Sequence, residues 1–143
     1  MIFEHEGYQL DDDPGRVDSG AAWDFLSTEA YWGRGRTRDD FEEQLKATWR
    51  VVGVYETGSG RMVGFARAVS DGARSAYLAD VYVLAEARGH GLGKELVRTM
   101  IDRGPGADFR WMLHTKDAHG LYRQFGFAEP DETYLERPAS PRN

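Results

Sequence analysis

Residues 77–97 read YLADVYVLAEARGHGLGKELV, and this stretch decides the fold. It begins with a Tyr- and Val-rich run that is typical of a strand, and it ends in the apolar spacing of an amphipathic helix. Between the two lie Gly89, Gly91 and Gly93. Glycine adopts positive φ and lets a ligand approach the backbone, so successive N–H groups and the positive end of the helix can converge on a phosphate. The stretch therefore predicts a phosphate-binding turn between a strand and a helix.

The spacing of these glycines separates the turn from two other phosphate-binding motifs. A dinucleotide fingerprint needs its third glycine three residues after the second, where this chain has Lys94. A Walker loop needs four residues between its glycines, whereas three separate Gly89 from Gly93. Arg88 adds a guanidinium that suits a charge-assisted contact. The alternative is a turn that only joins strand and helix, although three alternate glycines exceed what turning alone requires.

The rest of the chain predicts an α+β fold, with a mixed, mostly antiparallel central sheet flanked by helices. Apolar spacing and capping residues predict helices over residues 19–32, from 37 onward, 92–101 and 118–125. Patterns rich in β-branched and aromatic residues predict strands over residues 49–57, 61–70, 75–83, 110–115 and 133–137. Residues 11–15 and 138–143 are expected to be flexible, and the acidic runs at 11–13 and 42–43 to be solvated.

Composition limits the classes of protein. A chain of 143 residues is expected to form one domain, residues 1–143. Cysteine is absent, so no disulfide or thiolate chemistry is available, and no metal is expected. The net charge of -6 opposes binding to nucleic acid or anionic membranes. The first residues lack a basic or apolar run, which predicts a cytoplasmic protein.

The glycine-rich turn resembles the signature of the GNAT acetyltransferase superfamily: Arg or Gln, two residues, Gly, one residue, then Gly or Ala. The matching residues are Arg88, Gly91 and Gly93, and the resemblance extends over about residues 51–127. It implies the GNAT acyl-CoA N-acyltransferase fold with acetyl-CoA as co-substrate. It also implies that loop amides hold the CoA pyrophosphate and that the preceding strand pairs with the pantetheine arm. The residues so assigned are Arg88, Gly89, His90, Gly91, Leu92, Gly93 and Lys94 in the loop, and Val81, Tyr82 and Val83 in the strand.

A second motif, DAHGLYRQFGF at residues 117–127, is similar to the later family motif, which has a Tyr four residues before a Gly-Phe pair. The resemblance implies that Tyr122 protonates the departing CoA thiolate, a task that suits a phenol with an ordinary pKa of ~10. The helical spacing alone equally describes a Tyr that packs within an apolar face. Many relatives have an Asn seven residues earlier, where Thr115 stands here, so Thr115 is assigned to the pantetheine arm.

An amine acceptor with a pKa of ~10.4 arrives protonated, so the reaction needs a proton acceptor. Asp80 is the first candidate, because residues 77–83 resemble polyamine acetyltransferases, in which paired acids face the acceptor. Here Ala79 replaces the first acid, and a structural hydrogen-bonding role for Asp80 is an equal alternative. Some relatives have a Glu where Tyr77 stands, so the alternative base of those relatives is missing here. His114 and His119 are weaker candidates, because a lone His is more often structural or solvated.

The acceptor pocket of the family is built by the first two helices and their loop, here residues 31–36. Trp32 offers a flat amphipathic surface, and Arg36 offers a bidentate contact to a carboxylate. The expected function is transfer of an acetyl group from acetyl-CoA to a small-molecule or protein amine, by a monomer or homodimer without a nucleic-acid or membrane partner. The alternatives are a non-catalytic acyl-CoA sensor and an interaction module.

Overall fold

Within residues 1–30 and 35–141, the strands form one six-stranded sheet. These residues are the part of the chain that this computed structural model describes. The strands lie side by side in chain order, and each pairs antiparallel with the next until the last pair, which is parallel. They are β1 (Ile2–His5), β2 (Tyr8–Asp11), β3 (Arg50–Glu56), β4 (Met62–Ser70), β5 (Ser75–Val83) and β6 (Arg110–Met112). The mixed, mostly antiparallel sheet confirms the predicted α+β class.

Helices cover both faces of the sheet. They are α1 (Ser19–Thr28), α2 (Arg38–Lys46), α3 (Leu92–Met100) and α4 (His119–Arg123), with short 3₁₀ turns at Pro14–Arg16 and Ala85–Ala87. Thr37 and Asp40 form the predicted capping box at the start of α2, which satisfies two otherwise unpaired N–H groups. Helix α1 ends at Thr28, short of the predicted residue 32, and residues 31–34 lie outside the described part.

The sheet separates two apolar cores. One core packs α3 and Tyr122 of α4 against one face, and the other packs α1 and Phe41 of α2 against the opposite face. Strand β4 is buried without interruption from Met62 to Ala68. A central strand that is covered on both faces reads as a continuous apolar run rather than an alternating one, which is why the pattern of β4 is so uniform.

Strands β5 and β6 diverge, and this divergence forms the site. Their pairing ends at Tyr77 and Met112. Further along β5, its register with β4 shifts between Phe65 and Arg67, and Asp80 has a φ of 56°. An extra residue in one strand of a pair increases the local twist. The edge of β5 beyond Tyr77 is consequently left without a neighbouring strand in the described residues, and α4 lies across the gap.

Three predictions at the chain ends and β6 are wrong. No strand was predicted for β1 and β2, which are four residues each and join through Glu6 and Gly7 with positive φ at both positions. This is the geometry of a tight hairpin turn, but the turn lacks the usual Asn-Gly or Asp-Gly. The predicted strand at residues 133–137 is absent: Asp131 instead bonds the N–H of Thr133, and Leu135 is 92% exposed. Strand β6 ends at Met112 rather than residue 115.

Asp11 and Asp12 of the acidic run are structural rather than solvated, contrary to expectation, whereas Asp13 is exposed. Asp11 is buried and pairs with Arg16, whereas Asp12 pairs with Arg50. Asp13 accepts a hydrogen bond from the N–H of Gly15 and so caps the first 3₁₀ turn. Of the helices within residues 1–30 and 35–141, none has the length and apolar content needed to cross a membrane.

Candidate functional site

The glycine-rich turn presents the N-terminus of α3. Gly91 is the N-cap residue, with φ 72° and ψ 18°, and no side chain among the described residues caps this end. A helix leaves its first N–H groups without partners inside the helix, and these groups carry the positive end of the helix dipole. The first turn of α3 therefore presents N–H groups that suit an anion, and the predicted binding of a diphosphate there stays a prediction.

A cleft of about 470 Å³ leads from this turn to α4. Its walls bring together most of the residues assigned to the cofactor: Val81, Tyr82, Val83, Arg88, Gly89, Gly91, Leu92 and Gly93. The helical wall contains Tyr122, and Phe25 and Glu29 of the α1 region also line the cleft. His90 and Lys94 are exposed beside it. Phe25 and Glu29 were not predicted, because on sequence Phe25 reads only as a core position of α1.

Several of these residues can offer only their backbone to a ligand. Leu92 is 2% exposed and belongs to the α3 core. Tyr82 is buried, with its ring stacked on that of Phe25 at 4.1 Å between centroids. Arg88 donates from Nε to the carbonyl of Val83 at 3.2 Å, so part of its guanidinium holds the turn against β5. Ligand contacts in the cleft would thus come mainly from amides.

Tyr122 lies where the cleft meets a second cavity of about 650 Å³. Its ring is 8% exposed and makes an edge contact with Phe127 at 5.7 Å between centroids. Tyr77 and His114 line the second cavity, together with residues of β6 and of the segment after α4. Of the residues that line the two cavities, Tyr122 is common to both, so it lies at their boundary.

Asp80 is the centre of a buried ion cluster, and this geometry opposes its predicted role as the base. Arg36 binds both carboxylate oxygens at 3.0 Å, and Arg67 Nε binds one of them at 2.6 Å. Burial alone would raise the pKa of the Asp80 carboxyl, but hydrogen bonds from Arg36 and the charge of Arg67 outweigh it and lower that pKa. A carboxylate held by two guanidiniums is a weak base, so the structure favours the hydrogen-bonding alternative.

The same cluster opposes the prediction that Arg36 binds a substrate carboxylate. Its Nη1 and Nη2 donate to Asp80, Nη1 also donates to Gln44 at 2.8 Å, and the guanidinium lies over the ring of Phe41. Asp80 already occupies the two guanidinium N–H groups of Arg36 that would bind a substrate carboxylate. Trp32, the other predicted acceptor contact, lies outside the described residues. The partnership of Arg67 with Asp80 was missed, although a short β4–β5 hairpin brings Arg67 opposite Ala79.

Thr115 is placed away from its predicted role on the pantetheine arm. Its hydroxyl accepts a hydrogen bond from the N–H of Ala118 at 3.1 Å, just before α4. Its carbonyl accepts one from the His119 ring at 3.0 Å. Thr115 lines the larger cavity rather than the cleft. Ser and Thr hydroxyls commonly bond backbone groups a few residues away in turns, which accounts for the arrangement.

An unpredicted chain of polar side chains begins at the larger cavity, which Tyr77 and His114 line. Tyr77 Oη and His114 Nδ1 are 2.6 Å apart, and His114 Nε2 and Glu136 Oε2 are 2.7 Å apart. Tyr134 also donates to Glu136 at 2.9 Å. Tyr77 and His114 were noted in the sequence only singly. Their partnership with Glu136 has no local signal, because it joins β5, the end of β6 and the C-terminal segment.

Among the described residues, no group of three or more His, Asp or Glu could hold a metal ion.

The helix N-terminus suits an anionic group, the open strand edge suits an extended ligand, and Tyr122 lies where two cavities meet. Comparison with known proteins gives the family. The model of the acetyltransferase (GNAT) family matches residues 17–127. The chain belongs to this family. Its members use acetyl-CoA as co-substrate and act on amine acceptors.

Individual relatives agree with this assignment. A candidate acetyltransferase of Gibberella zeae is 30% identical over 110 residues, or 76% of this chain, and the match spans 60% of that protein's length. A solved GNAT-family structure from Xanthomonas campestris pv. campestris is 31% identical with a TM-score of 0.86, covering 95% of this chain and 96% of that one. A solved structure from Deinococcus radiodurans R1, 23% identical with a TM-score of 0.70 over 96% and 94% of the two chains, has the same fold.

Proposed function

We propose that this protein is an N-acetyltransferase that moves the acetyl group of acetyl-CoA to an amine by direct attack, with Tyr122 as the general acid. The position of Tyr122 on the wall shared by the cleft and the larger cavity carries this proposal. A nucleotide-bearing ligand that extends from the α3 amides along β5 ends near this phenol. An acceptor in the larger cavity meets it from the other side.

The described residues fit the co-substrate. A diphosphate suits the glycine-capped end of α3, where no described side chain competes for the first amides. The open edge of β5 beyond Tyr77 leaves backbone groups near Val81 and Val83 for an extended, amide-bearing arm. When bound there, acetyl-CoA supplies an activated thioester. The protein then orients the thioester, and Tyr122 donates a proton to the departing sulfur.

The acceptor class is an amine of a small molecule or a protein. An amine must approach the thioester from the cavity side of Tyr122, since the cleft side holds the co-substrate. Arg36 and Asp80 bind each other and line neither the cleft nor the larger cavity, which disfavours a role for them in recognition. We propose that the residues around the larger cavity, rather than Arg36, select the acceptor.

The proposal is tested first with Tyr122→Phe. Loss of a general acid typically lowers kcat by 10²- to 10⁴-fold, and we expect a decrease in that range with acetyl-CoA affinity retained, because the ring still fills the helix face. Thiol release from acetyl-CoA with a panel of amines measures turnover, and calorimetry measures binding.

The matched control is Tyr8→Phe, which removes a hydroxyl from a ring that lines neither the cleft nor the larger cavity. Full kcat in Tyr122→Phe with normal acetyl-CoA binding would show that the acid is another group. A wild-type protein that binds acetyl-CoA but releases no CoA with any amine would instead be the non-catalytic sensor.

A further inference from the structure

The proposed reaction needs a proton acceptor, because an alkylamine arrives as an ammonium ion. Asp80 is poorly suited, since two arginines hold its carboxylate. Tyr77 and His114 line the same cavity as Tyr122, and their side chains are hydrogen-bonded to each other. This places a hydroxyl and an imidazole on the side from which the amine must approach.

The direction of the hydrogen bonds follows from the partners. The Glu136 carboxylate can only accept a hydrogen bond, so the proton between it and His114 belongs to Nε2 of the ring. In the neutral imidazole Nδ1 is then the acceptor, and Tyr77 donates its O–H to Nδ1. The hydrogen bond from His114, followed by that from Tyr134, lowers the pKa of Glu136 and keeps it ionised. The chain is ordered as an intermediary hydroxyl, an imidazole base and a carboxylate that stabilises the charged ring.

We propose that Tyr77, His114 and Glu136 form a proton relay that deprotonates the amine acceptor. This inference rests on the proposed acetyl transfer and deepens it. An N–H proton of the ammonium passes to Tyr77 Oη as the proton of Tyr77 passes to His114 Nδ1. The products of this step are a neutral amine, an intact phenol and an imidazolium whose Nε2–H is held by Glu136. Tyr77 is the catalytic residue in this step, and Glu136 is a positioning residue.

The relay also has an exit for the proton. The side chains of His114 and Glu136 are 59% and 47% exposed, so the imidazolium can release its proton to water after each turnover. The amine lone pair attacks the thioester carbon, the C–S bond breaks, and Tyr122 protonates the sulfur. The second proton lost by the nitrogen can return to Tyr122. Each cycle thus yields one amide, one thiol and one proton released to solvent.

The charges around the relay come from several elements. Tyr134 and Glu136 face His114 from the C-terminal segment, and Arg67 and Asp80 act on Tyr77 from β4 and β5. Burial, followed by the charge of Glu136, raises the pKa of Tyr77, so the phenol stays protonated and acts as a relay rather than as a standing base. His119 and Arg123 of α4 line the same cavity.

The test measures kcat/KM of Tyr77→Phe, His114→Gln and Glu136→Gln between pH 6 and 9, with an alkylamine that wild type acetylates. At pH 7 we expect losses of about 10²-fold or more for Tyr77→Phe and His114→Gln, and a smaller loss for Glu136→Gln. The losses must shrink as the pH approaches the pKa of the free amine, since a neutral amine needs no proton acceptor. A purely structural defect would persist at every pH. Acetyl-CoA binding by calorimetry reports whether each variant is folded.

Tyr8→Phe and Glu132→Gln are the matched controls, because neither residue lines the cavity and Glu132 is exposed in the same C-terminal segment as Glu136. We expect wild-type kcat/KM for both. Full activity of Tyr77→Phe and His114→Gln at pH 7, losses that do not change with pH, or equal losses in the two controls would each overturn the relay. A wild type that acetylates no amine would refute the proposed function itself, which is a different result.

Discussion

At the scale of single residues, Asp80 illustrates how a catalytic residue type can have a structural role. Its place on the cofactor strand favoured a base, but its side chain is 3% exposed and lies between Arg36 and Arg67. Two guanidiniums and one carboxylate leave one net positive charge in the cluster. Removing the carboxylate would leave two buried arginines without their counter-ion. The main effect of Asp80 is therefore expected on stability.

We predict that Asp80→Asn lowers the free energy of unfolding by about 3–5 kcal/mol at pH 7, the usual cost of breaking a buried pair. Asn tolerates the left-handed conformation at this position, so the change removes charge rather than adding backbone strain. Because the folded pKa of Asp80 is lowered, its contribution is complete above the unfolded value of ~3.9 and is lost as the pH falls through the folded value.

Urea denaturation from pH 3 to 7 checks this prediction. The difference between wild type and Asp80→Asn should be largest near neutral pH and shrink below about pH 4. Asp108→Asn, at an exposed position, is the control and should change stability by less than about 0.5 kcal/mol. A difference that stays constant down to pH 3 would mean that the charge of Asp80 is not what stabilises the cluster.

At the scale of elements, the sequence predicted what is encoded locally. The capping box of α2, strand β5 and the turn into α3 have signals within a few residues, and the structure confirms all three. Strands β1 and β2 have weak patterns: β1 pairs with β2, and β2 pairs with β3, which lies about 40 residues away in sequence. No local pattern specifies such pairing. The segment at 133–137 has the composition of a strand but forms no ladder.

The candidate site likewise has residues that the local sequence predicted and residues whose partners it did not predict. The turn, the strand residues before it and Tyr122 were predicted from contiguous motifs, and the structure brings them to one cleft. The bonds of Asp80 to Arg36 and of His114 to Glu136 join residues 44 and 22 positions apart. Such contacts depend on the path of the whole chain, so residue type alone left their roles open.

In the turn into α3, replacing Gly91 and replacing Gly93 by alanine should have opposite effects on stability. Gly91 has a φ of 72°, so Gly91→Ala should lower the free energy of unfolding by roughly 1–2 kcal/mol. Gly93 lies inside α3, and a Cβ there would meet nothing within 4 Å. Because alanine is the better helix former, Gly93→Ala should raise the free energy of unfolding by up to about 1 kcal/mol. Urea denaturation without ligand measures both. Equal effects of the two changes would show that the left-handed conformation of Gly91 carries no cost.

At the scale of the whole molecule, the N-terminal hairpin supports both ends of α3. At the C-terminal end, Arg50 donates to the carbonyls of Thr99 and Met100 and pairs with Asp12, which follows β2. At the N-terminal end, His5 of β1 donates to the carbonyl of His90 at 2.7 Å. The hairpin that lacked a sequence signal thus helps to hold the predicted phosphate-binding turn in place, together with the bond from Arg88 to β5.

This arrangement predicts that a residue outside the cleft affects co-substrate binding. His5→Ala removes a hydrogen bond worth about 0.5–1.5 kcal/mol from the turn, which corresponds to acetyl-CoA binding weakened by up to about tenfold. The free energy of unfolding should fall by no more than about 1.5 kcal/mol, the value of this one hydrogen bond, because β1 lies at the edge of the sheet. Calorimetry with acetyl-CoA measures the affinity, and Glu4→Ala, at the exposed neighbouring position of the same strand, is the control. Unchanged affinity in His5→Ala would mean that α3 and β5 alone set the conformation of the turn. Equal weakening in both variants would mean that the hairpin acts through its overall stability rather than through this hydrogen bond.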